Sequence, residues 1–142
     1  DDAPTCAGFV SIACGTFHSV ALRDDGTVVT WGYRSDGRRD DAPTCAGFVS
    51  IACGTFHSVA LRDDGTVATW GRRSDGQRDD APTCAGFVSI ACGTYHSVAL
   101  RDDGTVVTWG RRSNGQRDDT PTCAGFVTIA CGTFHSVALR DD

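Results

Sequence analysis

The sequence predicts an all-β fold built from small, repeated antiparallel sheets, and three observations support this prediction. One segment returns with few changes every 39 residues. Within each copy, larger and smaller apolar residues alternate with the period of a β-strand. The composition omits common helix formers, because all 13 basic residues are Arg and all 18 acidic residues are Asp, and Met is absent. Val, Thr, Phe and Trp, which favour strands, are frequent.

The repeat divides the chain into four units, each of which begins with an Asp pair. The predicted repeats are 1–39, 40–78, 79–117 and a partial fourth at 118–142. The last unit stops at Asp142, where every earlier copy continues into Gly-Thr-Val, and the chain has no initiating Met. We therefore expect one continuous repeat domain that is an excerpt of a longer array.

The first unit contains three segments with the pattern of strands. VSIACG begins at Val10, HSVAL at His18 and TVVTW at Thr27, and each alternates its larger and smaller residues between two faces. The dipeptide Asp25-Gly26 separates the second segment from the third, and it is a strong signal for a β-hairpin. These segments therefore predict an antiparallel hairpin preceded by one further strand.

A fourth strand is predicted from DDAPT at 1–5, because charge and Pro4 suit the outer edge of a sheet. The segment YRSDGR at 33–38 predicts a loop. Four strands of about five residues with their connections fill one repeat. Since the strands carry apolar residues on both faces, each sheet needs a neighbour on either side. Propellers and solenoids are the two architectures that provide one.

The segment SIACGTFHSVALRDDGTVVTWGYRSDGR resembles the repeat of the regulator of chromosome condensation family. The resemblance rests on a small-residue strand that ends in Gly, a His-Ser-aliphatic-Ala-Leu strand, a Gly turn, a Trp-Gly pair and a Gly-Gln pair. The matching positions are Gly15, His18, Ser19, Ala21, Leu22, Gly26, Trp31, Gly32 and Gly37, with Gln77 and Gln116 in the second and third units. The 39-residue period is similar to that of the compact bacterial members.

This resemblance implies a β-propeller, or a propeller-like array, of four-stranded antiparallel blades. Family members usually have about seven blades, so three full repeats and a partial fourth would form an incomplete ring. The family includes an exchange factor for the GTPase Ran, a plant ultraviolet photoreceptor, ubiquitin-ligase modules and bacterial β-lactamase inhibitor proteins. Nothing in this sequence resembles the insertion that engages the GTPase, so no functional residue carries over, and fold alone does not imply function.

Residue types that could support catalysis occur once per unit, which favours structural roles. The histidines occupy one equivalent position at a strand start: His18, His57, His96 and His135. A catalytic site needs a single group with a partner that tunes it. Trp31, Trp70 and Trp109 suit packing between blades, and the Asp pairs suit hairpin turns better than a calcium loop. We therefore expect no enzymatic activity, no catalytic residue, no cofactor and no metal site.

The eight cysteines fall into two sets of equivalent positions. The sets are Cys6, Cys45, Cys84 and Cys123, and Cys14, Cys53, Cys92 and Cys131. Their spacing does not match the short spacings of zinc sites. An extended segment places Cys6 on the order of 20 Å from Cys14, too far for a disulfide. Buried free thiols, bridges between repeats and metal binding remain open at this point.

The copies differ mainly in the loop that follows the Trp-Gly pair. Loops on a rigid scaffold usually carry binding specificity. We predict a contact surface for a partner at Tyr33, Arg34, Arg72, Arg73, Arg111 and Arg112. The alternative is an exposed loop whose arginines pair with neighbouring Asp residues.

The function predicted from these observations is a non-enzymatic repeat scaffold with a structural and protein-protein interaction role. Near-identity of the copies also suits a repeating subunit of an extended or filamentous assembly. A third alternative is a propeller regulator, either a GTPase exchange factor or an enzyme inhibitor. We expect a protein partner or self-association. The net charge of −5 with no basic stripe argues against nucleic-acid binding, and no apolar run predicts membrane insertion.

Overall fold

The structure, a computed structural model, describes residues 7–32, 42–71, 81–111, 115, 117 and 120–141, and every regular element in these ranges is a β-strand. The strands are β1 (Phe9–Cys14), β2 (His18–Arg23), β3 (Val28–Gly32), β4 (Phe48–Cys53), β5 (His57–Arg62), β6 (Val67–Gly71), β7 (Phe87–Cys92), β8 (His96–Arg101), β9 (Val106–Gly110), β10 (Phe126–Cys131) and β11 (Ser136–Arg140). The predicted all-β class is confirmed. Within the described ranges, no helix has the length and apolar character needed to cross a membrane.

The strands form separate antiparallel sheets, one per repeat. Unit 1 is β1–β3, unit 2 is β4–β6, unit 3 is β7–β9, and unit 4 is the pair β10–β11. A bulge near the start of the first strand recurs in all four units. Each sheet packs on the next along the chain, because β2 contacts β4, β5 contacts β7, and β8 contacts β10. The described sheets therefore form an open, propeller-like array that does not close into a ring.

The Asp-Asp-Gly turn joins the second and third strands of each complete unit, as the sequence predicts. In unit 1, Gly26 has a φ of 81°, a backbone conformation that favours glycine. One carboxylate oxygen of Asp25 accepts hydrogen bonds from the backbone N–H of Thr27 (3.0 Å) and from its hydroxyl group (2.6 Å). The same contacts recur at Asp64 and Asp103. These aspartates therefore stabilise hairpin turns.

The predicted fourth strand requires a correction. Residues 42–44, 81–83 and 120–122 form no strand, and the remainder of each DDAPT-like segment lies outside the described residues. The prolines in these segments have no N–H group to donate to a neighbouring strand. Ala42 and Ala81 instead pack against the apolar cores between units. In the described part of the chain, the complete blades therefore have three strands rather than four.

The apolar core lies between the sheets and is repeated from junction to junction. At the first junction, Val20 and Leu22 of unit 1 pack against Phe48, Ala60 and Trp70 of unit 2. The equivalent residues of units 2 and 3 form the second junction: Val59, Leu61, Phe87, Ala99 and Trp109. Large side chains of one sheet thus cover a small alanine of the next, which excludes water efficiently. Trp70 and Trp109 pack between blades, as predicted.

Candidate functional site

The turns between the first and second strands of all units lie at the same end of their sheets. In unit 1, Cys14 pairs with Ser19, and His18 pairs with Gly32 at the end of β3. The Gly-Thr-aromatic turn of each unit therefore lies beside the point where the third strand ends. We call this end of the array the turn face. The Asp-Asp-Gly turns lie at the opposite end.

A groove runs across the turn face, with a volume of about 470 Å³. Every unit contributes the same three residues, Cys-Gly-Thr, to its lining: Cys14–Thr16, Cys53–Thr55, Cys92–Thr94 and Cys131–Thr133. These residues end the first strand and begin the turn. The groove is therefore a product of the repeat, with thiol, backbone and hydroxyl groups at its surface.

Glycine is required beside the groove because neighbouring groups approach its α-carbon closely. A Cβ atom on Gly54 would lie 2.2 Å from Cε1 of His57 and 2.5 Å from the carbonyl oxygen of Gly93 in the next unit. The corresponding position in units 1 and 3 has the same close contacts. The histidine ring therefore packs directly under the glycine of its own unit and against the backbone of the following unit.

The histidines link adjacent units through buried hydrogen bonds to serine. Nε2 of His18 lies 2.9 Å from Oγ of Ser58, and this serine also lies 3.7 Å from Sγ of Cys53. The same arrangement recurs at the next two junctions. His57, Ser58, His96 and Ser97 are fully buried. The histidines are thus structural links between blades, in agreement with the role inferred from their repetition.

Burial also makes these groups poor acids, bases and nucleophiles at neutral pH. Desolvation, assisted by the neighbouring His18 and His96, lowers the pKa of His57 to about 3. Desolvation raises the pKa of Cys53 to about 11, although the hydrogen bond with Ser58 opposes the rise. A neutral imidazole that cannot be protonated at pH 7 and a thiol that stays protonated are unsuited to acid–base or thiolate chemistry.

A row of aromatic side chains follows the groove, one from each unit. The rings of Phe17 and Phe56 stack with centroids 6.2 Å apart, and those of Tyr95 and Phe134 stack at 6.5 Å. Phe17 and Phe134 are each about half exposed, at 51% and 47%. We call these four residues the aromatic row. It offers an apolar surface at the turn face, and stacking fixes the orientation of its rings.

Arg111 is the one residue of the predicted contact surface that lies within the described residues. Its backbone N–H donates to the carbonyl oxygen of Tyr95 (2.9 Å), and its guanidinium carbon lies 4.8 Å from the centre of the Tyr95 ring. This places a cation over the aromatic row. The other predicted contacts lie outside the described residues: Tyr33, Arg34, Arg72, Arg73 and Arg112.

Sequence reasoning missed the aromatic row and the groove. The available signal was the residue before each histidine, which is aromatic in all four copies. The predicted contact surface consisted of positions that differ between copies, so it left out a position that is aromatic in all four. Its significance depends on the stacking of consecutive units, which a single repeat does not reveal.

The cysteines are free thiols wherever the structure describes them, and Cys6 lies outside that part. Cys45, Cys84 and Cys123 are exposed at the end opposite the turn face, where each sulfur accepts a hydrogen bond from an arginine side chain. The described residues contain no group of three or more His, Cys, Asp or Glu side chains suited to a metal. Among the seven described cysteines, bridges between repeats are therefore absent. Cys14 is exposed as well, whereas Cys53, Cys92 and Cys131 are partly buried, so buried free thiols account for only part of the pattern.

Comparison with known proteins identifies the repeat. The family described as "Regulator of chromosome condensation (RCC1) repeat" matches residues 9–38, 48–77 and 87–116. No curated protein matches the chain.

The fold is also similar to several solved structures. The ectodomain of the receptor kinase CR4 from Physcomitrella patens is 29% identical, with a TM-score of 0.79 over 94% of this chain and 38% of that chain. Yeast RCC1 (Prp20) bound to Kap60 is 25% identical, with a TM-score of 0.73 over 96% and 43%. Prp20p from Saccharomyces cerevisiae is 22% identical, with a TM-score of 0.76 over 97% and 45%. The chain thus spans less than half the length of these proteins.

Proposed function

The chain belongs to the regulator of chromosome condensation (RCC1) repeat family, and on that basis we propose that it is a non-enzymatic scaffold that binds protein partners through its turn face. The repeated sheets supply a rigid support, since units 1, 2 and 3 are joined by apolar cores and buried histidine-serine links. The turn face presents side chains that such a support holds in place.

The observation that carries this proposal is the aromatic row with Arg111 over it. Aromatic residues and arginine are the types that contribute most to binding energy at protein interfaces. Tyr95 and Arg111 hold each other in one geometry, so little side-chain freedom would be lost when a partner binds. The half-exposed rings of Phe17 and Phe134 extend this surface along the array.

The relatives agree with a protein partner. Prp20p of Saccharomyces cerevisiae is known for its binding properties to Gsp1p and histones, and yeast RCC1 (Prp20) has been crystallised bound to Kap60. These partners belong to the yeast protein. They support protein binding as the kind of activity to test in this chain. The partner of this chain is then to be identified by selection of binding peptides.

A catalytic role has little chemical support at the turn face. His57 is neutral, buried and occupied with Ser97, and the thiol of Cys53 is held protonated by burial. The regulator alternative depends on loops that differ between blades, and most of those residues lie outside the described ranges. The regulator function stays a prediction, as does the proposed partner surface at the arginine positions outside the described ranges.

The test is a selection of binding peptides from a random library on the immobilised chain. Each selected peptide is then measured against the triple variant Phe56→Ala, Tyr95→Ala, Arg111→Ala. We expect a loss of at least about tenfold in affinity, because truncating interface aromatic and arginine residues usually costs more than 1 kcal/mol. The control variant carries Val49→Ala and Val88→Ala, two exposed valines on first strands, and should bind normally.

Circular dichroism and thermal unfolding must show that the triple variant keeps its sheets. The affinities of purified Gsp1p, histones and Kap60 for the chain are measured in the same assay, because these proteins bind the yeast relative. The proposal fails if no selected peptide or protein distinguishes the triple variant from the unmodified chain.

A further inference from the structure

The exposed cysteines at the end opposite the turn face each have an arginine in direct contact with the sulfur. In unit 3, Nη2 of Arg101 donates a hydrogen bond to Sγ of Cys84 at 3.0 Å. The same contact recurs between Arg62 and Cys45 (3.2 Å) and between Arg140 and Cys123. The cysteine-arginine pair is therefore a repeated feature of the units, like the turns and the junctions.

A buried aromatic ring holds the guanidinium group in this position. The guanidinium carbon of Arg101 lies 5.4 Å from the centre of the Phe87 ring, and the equivalent distance from Arg62 to Phe48 is 5.1 Å. A cation over an aromatic face is attracted by the ring. Both rings are 3% exposed and belong to the inter-unit cores. Each core residue thus fixes a positive charge beside an exposed thiol.

This positive charge is not neutralised by an ion pair. Within the part of the chain that the structure describes, neither Arg62 nor Arg101 pairs with a carboxylate. The carboxylate of Asp102 is close to the chain at Gly86, two residues beyond Cys84. Coulomb attraction falls with distance, so the guanidinium in contact with the sulfur outweighs it there. A molecule that approaches the thiol therefore meets a positive charge first.

The thiol is also accessible in internal units. Thr83, Cys84 and Ala85 are exposed, and this segment precedes β7 in unit 3. Cys45 is exposed at the equivalent place in unit 2. The other cysteine of unit 3, Cys92, is partly buried and has a serine rather than a cation beside it. Access and positive charge thus coincide at one of the two cysteines in the unit.

We propose that Cys45 and Cys84 are modification sites for small disulfides that carry carboxylate groups. The arginine binds a carboxylate of the disulfide through N–H groups that do not contact the sulfur, since guanidinium and carboxylate form charge-assisted hydrogen bonds. This contact brings the S–S bond of the disulfide to the exposed thiol. Three features support the site: the fixed cation, the absence of an ion pair at it, and the open sulfur.

The reaction is a thiol–disulfide exchange. The Cys84 thiol loses its proton to water, and its sulfur attacks one sulfur of the small disulfide. The S–S bond of the disulfide breaks while a new S–S bond to Cys84 forms. The departing half leaves as a thiolate and takes up a proton from water. Cys84 is oxidised and the departing half is reduced, so the small disulfide is the only oxidant required.

The experiment compares three disulfides of different charge. Dithiobis(nitrobenzoate) is dianionic, dithiodipyridine is neutral, and cystamine is dicationic. Each is mixed briefly with the whole chain, and the remaining thiols are then blocked with a maleimide. Tandem mass spectrometry of the tryptic peptides 40–62 and 79–101 gives separate rates for Cys45 and Cys84, because Phe56 and Tyr95 distinguish the two peptides.

Arg101→Gln removes the cation beside Cys84. The rate with the anionic disulfide should fall about fivefold, which corresponds to one contact between unit charges about 4 Å apart in water. The rate with the neutral disulfide should change less than about twofold, and the rate with the cationic one should rise. A change in access to the sulfur would instead move all three rates in one direction. Arg101→Lys keeps the charge and should restore most of the anionic rate.

Two controls separate the local charge from the total charge. Cys45 serves as a reference within the Arg101→Gln variant, because its own Arg62 is unchanged. Arg117→Gln removes one positive charge at the turn face and should leave all three rates at Cys84 unchanged. If Arg101→Gln loses its circular dichroism signal, Arg62→Gln tests Cys45 with Cys84 as the reference.

This inference does not depend on the proposed partner binding, because the cysteine-arginine pairs lie at the opposite end of the sheets from the aromatic row. Failure of the peptide selection would leave it untouched, and the reverse also holds. The proposal is overturned if Cys84 forms no mixed disulfide with the anionic reagent. It is also overturned if Arg101→Gln leaves the anionic rate unchanged, or if it changes the three rates equally.

Discussion

Nε2 of His57 lies 2.9 Å from Oγ of Ser97, although the two residues are 40 positions apart and belong to neighbouring sheets. Both side chains are fully buried. The equivalent pairs at the other two junctions are separated by 2.9 and 3.0 Å. The link places one hydrogen bond beside each apolar core, so the buried Nε2 atom, which would be costly to leave unpaired, is satisfied by a serine of the next repeat.

Replacing Ser97 by Ala should therefore destabilise the chain by about 1–3 kcal/mol, because the substitution leaves the buried ring nitrogen of His57 without its serine partner. Urea unfolding followed by circular dichroism measures this loss. Ser11→Ala removes an exposed serine from β1 and should change the free energy of unfolding by less than about 0.5 kcal/mol. Equal effects of the two substitutions would argue against the buried link.

Gly54→Ala should be among the most damaging single changes. The added methyl group would meet the His57 ring and the Gly93 carbonyl at distances far below normal contact, so we expect a loss of about 3 kcal/mol or more. Gly125→Ala is the comparison, because Gly125 has a φ of 97° but open space around its α-carbon. In the Gly125→Ala variant, the strain of an alanine at this positive φ should alone lower the free energy of unfolding by about 1–2 kcal/mol. Thermal unfolding of both variants separates close packing from conformational strain.

Stability should decrease as the pH falls from about 6.5 towards 3. The pKa of His57 is about 3 in the folded chain and 6.5 ordinarily, so between these values the unfolded chain binds a proton that the folded chain does not. The free energy of unfolding then falls by up to about 1.4 kcal/mol per pH unit for this one residue. Burial lowers the pKa of His96 as well, which adds a change of the same sign.

Urea unfolding at pH 7, 6, 5 and 4 measures this dependence. His57→Gln should flatten the pH profile, whereas Ser11→Ala, at an exposed position, should leave its slope in place. Hydrogen bonds from the Thr hydroxyl groups lower the pKa values of Asp25, Asp64 and Asp103, so a further loss is expected below pH 3.8. A profile that is flat from pH 7 to pH 4 in the unmodified chain would contradict the neutral, buried histidine.

The two sets of cysteines should differ in their reaction with iodoacetamide. Cys84 is exposed, whereas burial raises the pKa of the Cys92 thiol and leaves little thiolate to react. Both residues fall in one tryptic peptide, 79–101, which is distinct in sequence from the other repeats. Tandem mass spectrometry after brief labelling at pH 8 should find Cys84 modified at least about ten times more than Cys92. Comparable labelling, or a disulfide-linked peptide, would contradict this expectation.

The sheets could be predicted from sequence because the information is local and repeated. Alternation along HSVAL and TVVTW, with Asp25-Gly26 between them, indicates a hairpin without knowledge of any other residue. The fourth strand could not be assigned in this way. Pro43 and its neighbours have the composition of an edge strand, but Ala42 packs into the core between units, a contact that depends on the position of the next sheet.

The candidate site was predicted only in part, for a related reason. Differences between copies pointed to a set of loop residues of which only Arg111 is described, and its backbone N–H donates to Tyr95 at the turn face. The stacked rings of Tyr95 and Phe134 come together only because consecutive units pack side by side. Sequence alone fixes which residues recur, whereas the spacing between sheets decides which recurring residues form a surface.

The recurrence of one junction has a consequence for how such a chain can change in length. Unit 1 meets unit 2 with the same residue types that unit 2 uses to meet unit 3. Recombination that removes or adds one 39-residue segment of the gene would therefore bring two faces together that already fit. Array length can thus vary in whole repeats without any new interface having to evolve, and each inserted copy would be stabilised by contacts that its neighbours already carry.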